Sequence, residues 1–211
     1  NINAKDFVKK IIYKRLNPKL LAVSNNFRFG KNRAGNVNFL KKFSTSCNYK
    51  LLNIKPKKYF GKVVSSTKIR KYLMFGQTHL ANKLLTRTWF IDGKVTKGKK
   101  KGRELGYRTC NINVKSYVLP KKGIYAVRVS IGKKKKTYGG AAYLGSRPTF
   151  GGKKIFLEIN IFNIKKNLYK KKLRVYFLKY LRKDQKFRNS EQLIMQIKKD
   201  VIFAKKTLKK N

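Results

Sequence analysis

Few residues in this chain are suited to chemistry, and they are unevenly placed. Between Glu104 and Asp184 the one carboxylate is Glu158, set inside the apolar run IFLEINIF at 155–162. Burying a charge is costly, so a carboxylate in such a run needs a reason. With a strand's period of two, Ile155, Leu157, Ile159 and Ile161 share one face, and Phe156, Glu158, Asn160 and Phe162 share the other. Glu158 then lies beside Asn160 on a mixed face, as a carboxylate lining a cavity or barrel mouth does. An exposed face with Glu158 paired to one of many lysines gives the same pattern.

Two further segments could bind anions. In KGKKKGRELGYRTCN, 97–111, Gly98, Gly102 and Gly106 let the backbone approach a ligand, Lys and Arg supply charge, and Thr109 with Asn111 supplies oxygen ligands. A polyphosphate with Mg²⁺ needs those groups, although a solvated hairpin has the same composition. In SSTKIR, 65–70, hydroxyls precede a helix and Lys68 and Arg70 follow, which makes either an anion site or a plain cap.

The elements that must hold these residues fall into two patterns. Phe7, Val8 and Ile11 recur at helical spacing, KLLAVS follows Pro18, a second helical segment runs through Val37, Leu40 and Phe43, and KLLNI closes the set. Helix, strand, helix, strand predicts parallel strands joined by crossover helices, an α/β arrangement. A helix carrying Ile69, Leu73, Leu80 and Leu84, interrupted at Gly76, comes next. From about Arg87 the pattern changes to short runs, TWFIDGKVT, GIYAVRVSI, YGGAAYLG, IFLEINIF and LRVYFLKY, which predict an antiparallel barrel or sandwich. Asn189 or Ser190 caps a closing amphipathic helix with Leu193, Ile197, Val201, Ala204 and Leu208 on one face. The expected domains are 1–85 and 86–211.

Composition bounds the function without choosing it. A 211-residue chain that is 41% hydrophobic is folded, with one or two domains. Lys+Arg 56 against Asp+Glu 7 gives a net charge of +49, which points to an anionic partner. Nucleotide phosphate, nucleic acid and a membrane surface are all attracted by such a field, and compositional drift toward lysine produces it too. Cys47, Cys110 and the single His79 form no metal cage or disulfide framework, which predicts a reducing cytoplasm. No stretch approaches the roughly 18 apolar residues of a membrane span, and no signal-peptide pattern opens the chain, so a soluble protein is expected. The chain begins without Met, as a fragment or processed product would.

Several motifs in order resemble the bacterial bifunctional riboflavin kinase/FAD synthetase family. They are NFRFGKNRAGN at 26–36, VVSSTKIR at 63–70, LGYRTCN at 105–111, RPTFGG at 147–152, LEIN at 157–160 and LRKDQKF at 181–187. The resemblance implies an incomplete Rossmann-like nucleotidyltransferase segment followed by a β-barrel kinase domain with a C-terminal helix. It further implies that Thr109 and Asn111 bind Mg²⁺ and ATP beside the glycine-rich loop, and that Glu158 is the base for riboflavin's 5′-hydroxyl, giving FMN. Arg182 and Phe187, with the last helix, would close the flavin site. Ser65, Ser66, Thr67 and Arg70 match the segment holding ATP phosphates during adenylylation of FMN to FAD. The family's His-containing N-terminal nucleotide motif is absent from this chain, so FAD synthesis is not expected of it. Arg108 replaces the motif's proline, Tyr143 a usual Asn, and Asn36 a common Asp. An active, monomeric cytoplasmic kinase is expected, with nonspecific affinity for nucleic acid. A basic scaffold that binds RNA or a ribosome without catalysis is the competing reading.

Overall fold

The computed structural model describes residues 2–98, 106–114, 117–132, 136–149, 152–164 and 166–209, with backbone alone at 147–149 and 152–154. The chain divides into two compact units, Asn1–Val64 and Ser65–Asn211.

In the first unit, the Asn3 side chain accepts from the Asp6 N–H at 2.8 Å and starts helix α1, Ala4–Asp6. The helix continues as wider π-helical turns over Phe7–Leu16 and ends where Asn17 turns left-handed, φ 41°. The Asn17 N–H donates five residues back to the Ile12 carbonyl, a π-type bond. Strands β1, Leu20–Ser24, and β2, Lys50–Ile54, pair in parallel as expected, from Leu20 opposite Lys50 to Ser24 opposite Ile54. Helix α2, Val37–Phe43, lies in the crossover, and Asn36 caps it by accepting from the Phe39 N–H at 2.9 Å. Asn caps as well as Asp, so the substitution at position 36 leaves this helix start intact. Val8, Ile12, Phe29, Leu40 and Tyr49 bury the core. The Tyr49 hydroxyl donates to the Leu40 carbonyl at 2.5 Å, and burial pushes its pKa up to about 12.

A two-residue hairpin that the sequence did not suggest closes this unit. Its strands are β3, Lys58–Tyr59, and β4, Lys62–Val63. Phe60 and Gly61 at its turn both have positive φ, the backbone that matches strand twist, but Phe is an unusual residue there.

The second unit opens with helix α3, Ser66–Met74, capped by Ser65, and helix α4, Thr78–Leu85. Gly76, at φ 74°, ends the first of them. Helix α4 is bonded to the barrel: Thr78 Oγ1 donates to the Leu178 carbonyl at 3.2 Å, and Asn82 Nδ2 to that of Phe177 at 2.9 Å. The six described strands are β5, Phe90–Thr96; β6, Cys110–Asn113; β7, Gly123–Ile131; β8, Thr137–Thr149; β9, Gly152–Ile161; and β10, Lys172–Arg182. They close an antiparallel barrel in the order β10-β5-β6-β9-β8-β7, which resolves the barrel-or-sandwich alternative.

Alternate residues of each strand fill the interior, among them Ile91, Val95, Ile112, Val127, Leu157, Ile159, Val175 and Phe177. Helix α5, Ser190–Lys209, packs outside against β7, β8 and β10. Asn189 caps it by accepting from the Gln192 N–H at 3.0 Å, which decides between the two expected caps.

Candidate active site

Glu158 leaves the barrel interior because its neighbours Leu157 and Ile159 occupy it, both wholly buried. On the outer face it stands between Asn111 of β6 and Tyr143 of β8, its register partners. Thr109 Oγ1, one residue before β6, donates to Glu158 Oε1 at 2.6 Å. Asn160, next on the same face, donates through Nδ2 to the Arg108 carbonyl at 2.8 Å and pins the segment that carries Thr109. Position 108 thus contributes a backbone acceptor, a role open to Pro and Arg alike.

Two cavities flank this point, sharing Thr109 in their linings. One, of about 350 Å³, is bounded by the outer faces of β8 and β9 and by helix α5, and includes Thr109, Tyr143, Glu158, Arg182, Phe187 and Asp200. The other, of about 320 Å³, includes Gly98, Arg108, Thr109, Asn111, Lys166 and Tyr169. Thr109 borders both. Cys110 also lines the second cavity, and burial pushes its thiol up to about 11.

The sequence-derived residues therefore separate into groups. Glu158, Thr109, Arg182 and Phe187 converge on the first cavity, and Gly98, Thr109 and Asn111 on the second. Gly106 sits on an exposed turn at φ 82° and lines neither, while Gly102 lies outside the described residues. Ser65, Ser66, Thr67 and Arg70 form the exposed start of α3, where Ser65 Oγ accepts from the Lys68 N–H at 3.2 Å.

Sequence reasoning overlooked two features at the cavity. Arg182, the last residue of β10, donates through Nε and Nη2 to the two carboxylate oxygens of Asp200 on α5, at 2.8 and 2.7 Å. Tyr143 donates to Asp184 Oδ2 at 2.6 Å, tying the segment after β10 to the barrel. The end of β10 is aimed by register shifts at Phe177/Lys179 and Tyr180/Arg182. Gly123 makes room for it: its φ is 143°, and a Cβ there would stand 2.3 Å from the Arg182 carbonyl oxygen. A signal for Asp200 was present, a lone carboxylate between Ile197, Val201 and Ala204 on the apolar face of α5.

Comparison with known families decides the relationship. Residues 85–208 match the family model for riboflavin kinase, and residues 1–68 that for FAD synthetase. The chain belongs to the riboflavin kinase family. Among bifunctional riboflavin kinase/FMN adenylyltransferases, it is 38% identical over 209 residues to that of Buchnera aphidicola subsp. Schizaphis graminum, covering 98% of this chain and 67% of the relative. To that of Escherichia coli K12 it is 32% identical over 204 residues, covering 97% and 65%. The chain thus spans about two thirds of the length of these relatives. A crystal structure of a Streptococcus pneumoniae protein described as a macrolide-efflux protein superposes with a TM-score of 0.82 at 28% identity, covering 97% of this chain and 66% of that one. Among the described residues of this riboflavin kinase family member, no helix is long and apolar enough to cross a membrane.

Proposed function

We propose that this chain transfers the γ-phosphoryl group of ATP to the 5′-hydroxyl of riboflavin, giving FMN. The observation that carries the reading is the 2.6 Å bond between Thr109, which borders both cavities, and Glu158, which lines the first. Riboflavin would occupy the cavity beneath α5, whose lining is mostly apolar around Glu158, Arg182 and Phe187, as a flat ring system requires. ATP would occupy the cavity that holds Gly98 and Asn111. A base must lie within hydrogen-bond reach of the proton it takes; Glu158 lines the proposed riboflavin cavity and is bonded to Thr109, which also borders the proposed ATP cavity. The Thr109 hydroxyl holds one carboxylate oxygen and so orients the other for the substrate hydroxyl.

Thr109 and Asn111 also fit Mg²⁺ delivered with ATP. Both offer neutral oxygens, and Mg²⁺ takes its charge balance from phosphate oxygens and retains waters. When bound, the ion neutralises charge on the transferring phosphoryl group. Ser65, Ser66, Thr67 and Arg70 would serve phosphate in a separate adenylyl transfer, and the enzyme is read as a cytoplasmic monomer.

The test is incubation of the purified chain with riboflavin, ATP and Mg²⁺, with FMN and FAD separated by chromatography. FMN is the expected product, and folded protein that yields none overturns the reading. FAD, followed separately, reports what residues 1–68 contribute.

A second expected outcome concerns the ATP side. A Cβ at position 98 would stand 2.3 Å from Asn111 Nδ2, while the backbone at Gly98 needs no left-handed turn. Gly98→Ala should therefore fold normally and displace the Asn111 carboxamide, raising KM for ATP on the order of tenfold with little change in KM for riboflavin. Unchanged ATP kinetics would show that Asn111 does not contact the nucleotide.

A further inference from the structure

Asp200 is a buried carboxylate that the proposed mechanism does not use. Its side chain is 8% exposed and lies on the inner face of α5, on the cavity that holds Glu158. It accepts from Arg182 Nε and Nη2 and from Gln196 Nε2 at 3.0 Å, so all its described bonds point toward the end of β10 or along its own helix. Buried ion pairs are poor sources of stability, since apolar residues of similar volume commonly hold a helix in place as well or better. Ala204, wholly buried on the same face of α5 as Asp200, already supplies an apolar contact there, and Leu193, Ile197 and Val201 line the cavity beside it. What an apolar substitute cannot supply is a fixed orientation for a guanidinium.

Arg182 has five N–H groups, and three are committed: two to Asp200 and one, through Nη1, to the Lys183 carbonyl at 2.9 Å. Its planar fork is thereby fixed along the Nε–Nη2 edge, with one remaining N–H on each of Nη1 and Nη2. Arg182 lines the same cavity as Glu158, at a strand end already aimed by two register shifts. We infer that Asp200, supported by Gln196, is a positioning residue that acts through Arg182, holding its outer N–H groups toward acceptor oxygens of the flavin in the Glu158 cavity. The inference rests on the assignment of riboflavin to that cavity. It predicts that Asp200 governs flavin binding and leaves nucleotide binding alone.

A double-mutant cycle tests this. Wild type, Arg182→Gln, Asp200→Asn and the double variant are compared for riboflavin affinity by flavin fluorescence, for KM of each substrate and for thermal stability. Asp200→Asn in the wild-type background should weaken riboflavin binding roughly 10- to 100-fold, with KM for ATP unchanged. In the Arg182→Gln background the same change should have almost no further effect on riboflavin, because the group it acts through is already gone. An equal loss in both backgrounds, or a parallel loss for ATP, would mean that Asp200 merely docks α5, and overturns the assignment.

Gln196→Leu is the gentler companion if Asp200→Asn does not fold. It should produce a smaller riboflavin defect of the same kind, again absent beside Arg182→Gln, and no riboflavin defect would count against the proposal. Wild-type protein that neither binds riboflavin nor forms FMN would defeat the underlying cavity assignment, an outcome distinct from an additive cycle in an active enzyme.

Discussion

Glu158→Gln should lower FMN formation by roughly 10²- to 10⁴-fold, the range that a positioned general base contributes. In free energy this is about 3–5 kcal/mol of transition-state stabilisation. The replacement is close to isosteric, and the Thr109 hydroxyl that now donates to Oε1 can donate equally to the Gln carbonyl oxygen. Because Glu158 lies on the outer face, between the wholly buried Leu157 and Ile159, the barrel interior keeps every contact. The variant should therefore unfold at nearly the wild-type temperature and bind both substrates with little change. Glu158→Asp, which keeps the base but withdraws it by one methylene, should fall between the two. Rates measured at saturating substrate decide the matter, and a Gln variant at wild-type speed would remove Glu158 from the chemistry altogether.

That a single sequence pointed to this residue has a physical reason, and so does what it left out. Glu158 was conspicuous because carboxylates are scarce in this chain and because strand alternation is a local property, readable without knowing the strand's neighbours. The same holds for β5 and β7 to β10, each a run of apolar or alternating residues bounded by turn signals. Strand β6 was not legible as a strand: CNIN is four residues with one wholly buried side chain, Ile112, and its pairing with β9 joins residues more than 40 apart in sequence. In the sequence Thr109 and Asn111 accordingly look like parts of a loop, although Asn111 lies on a strand in register with Glu158. The bond from Arg182 to Asp200 spans 18 residues and two elements, so no periodicity reports it. The hairpin of β3 and β4 is too short for any alternation to show.

The departures from the family pattern are intelligible once their partners are seen. Asn36 performs the capping that Asp would, and Arg108 is held at its carbonyl by Asn160. Tyr143 does more than fill space. Its ring packs edge-on against Phe156 at 5.5 Å and lies where a Cβ on Gly145 would stand, while its hydroxyl reaches Asp184. With Arg182 bonded to Asp200, it ties the chain leaving β10 at two points, one on the barrel and one on α5. Of the many basic residues behind the +49 charge, Arg182 is the one that pairs with a buried carboxylate at the Glu158 cavity among the described residues, while Arg108 and Lys166 line the second cavity.

The largest expected loss of stability follows from Phe177→Ala. Phe177 is wholly buried on β10, and its ring meets those of Trp89 at 5.1 Å and Tyr125 at 5.0 Å, both edge-on. Its backbone is equally engaged: the N–H donates to the Trp89 carbonyl at 2.9 Å, and the carbonyl accepts from Asn82 of α4. Truncation removes the ring from the middle of an aromatic cluster whose other members are fixed by strands, so the cavity cannot easily collapse. The cost should be about 3–5 kcal/mol, a large share of the roughly 5–15 kcal/mol that stabilises a domain. Urea unfolding followed by the fluorescence of Trp89, the one tryptophan of the chain, would report it at the site of the change. Riboflavin phosphorylation should be lost as the variant unfolds on warming and retained when it is cold and folded, because Arg182 sits five residues further along the same strand. A loss under 1 kcal/mol would show that Trp89 and Tyr125 close over the gap, and that α4 and the aligned end of β10 are held chiefly by hydrogen bonds.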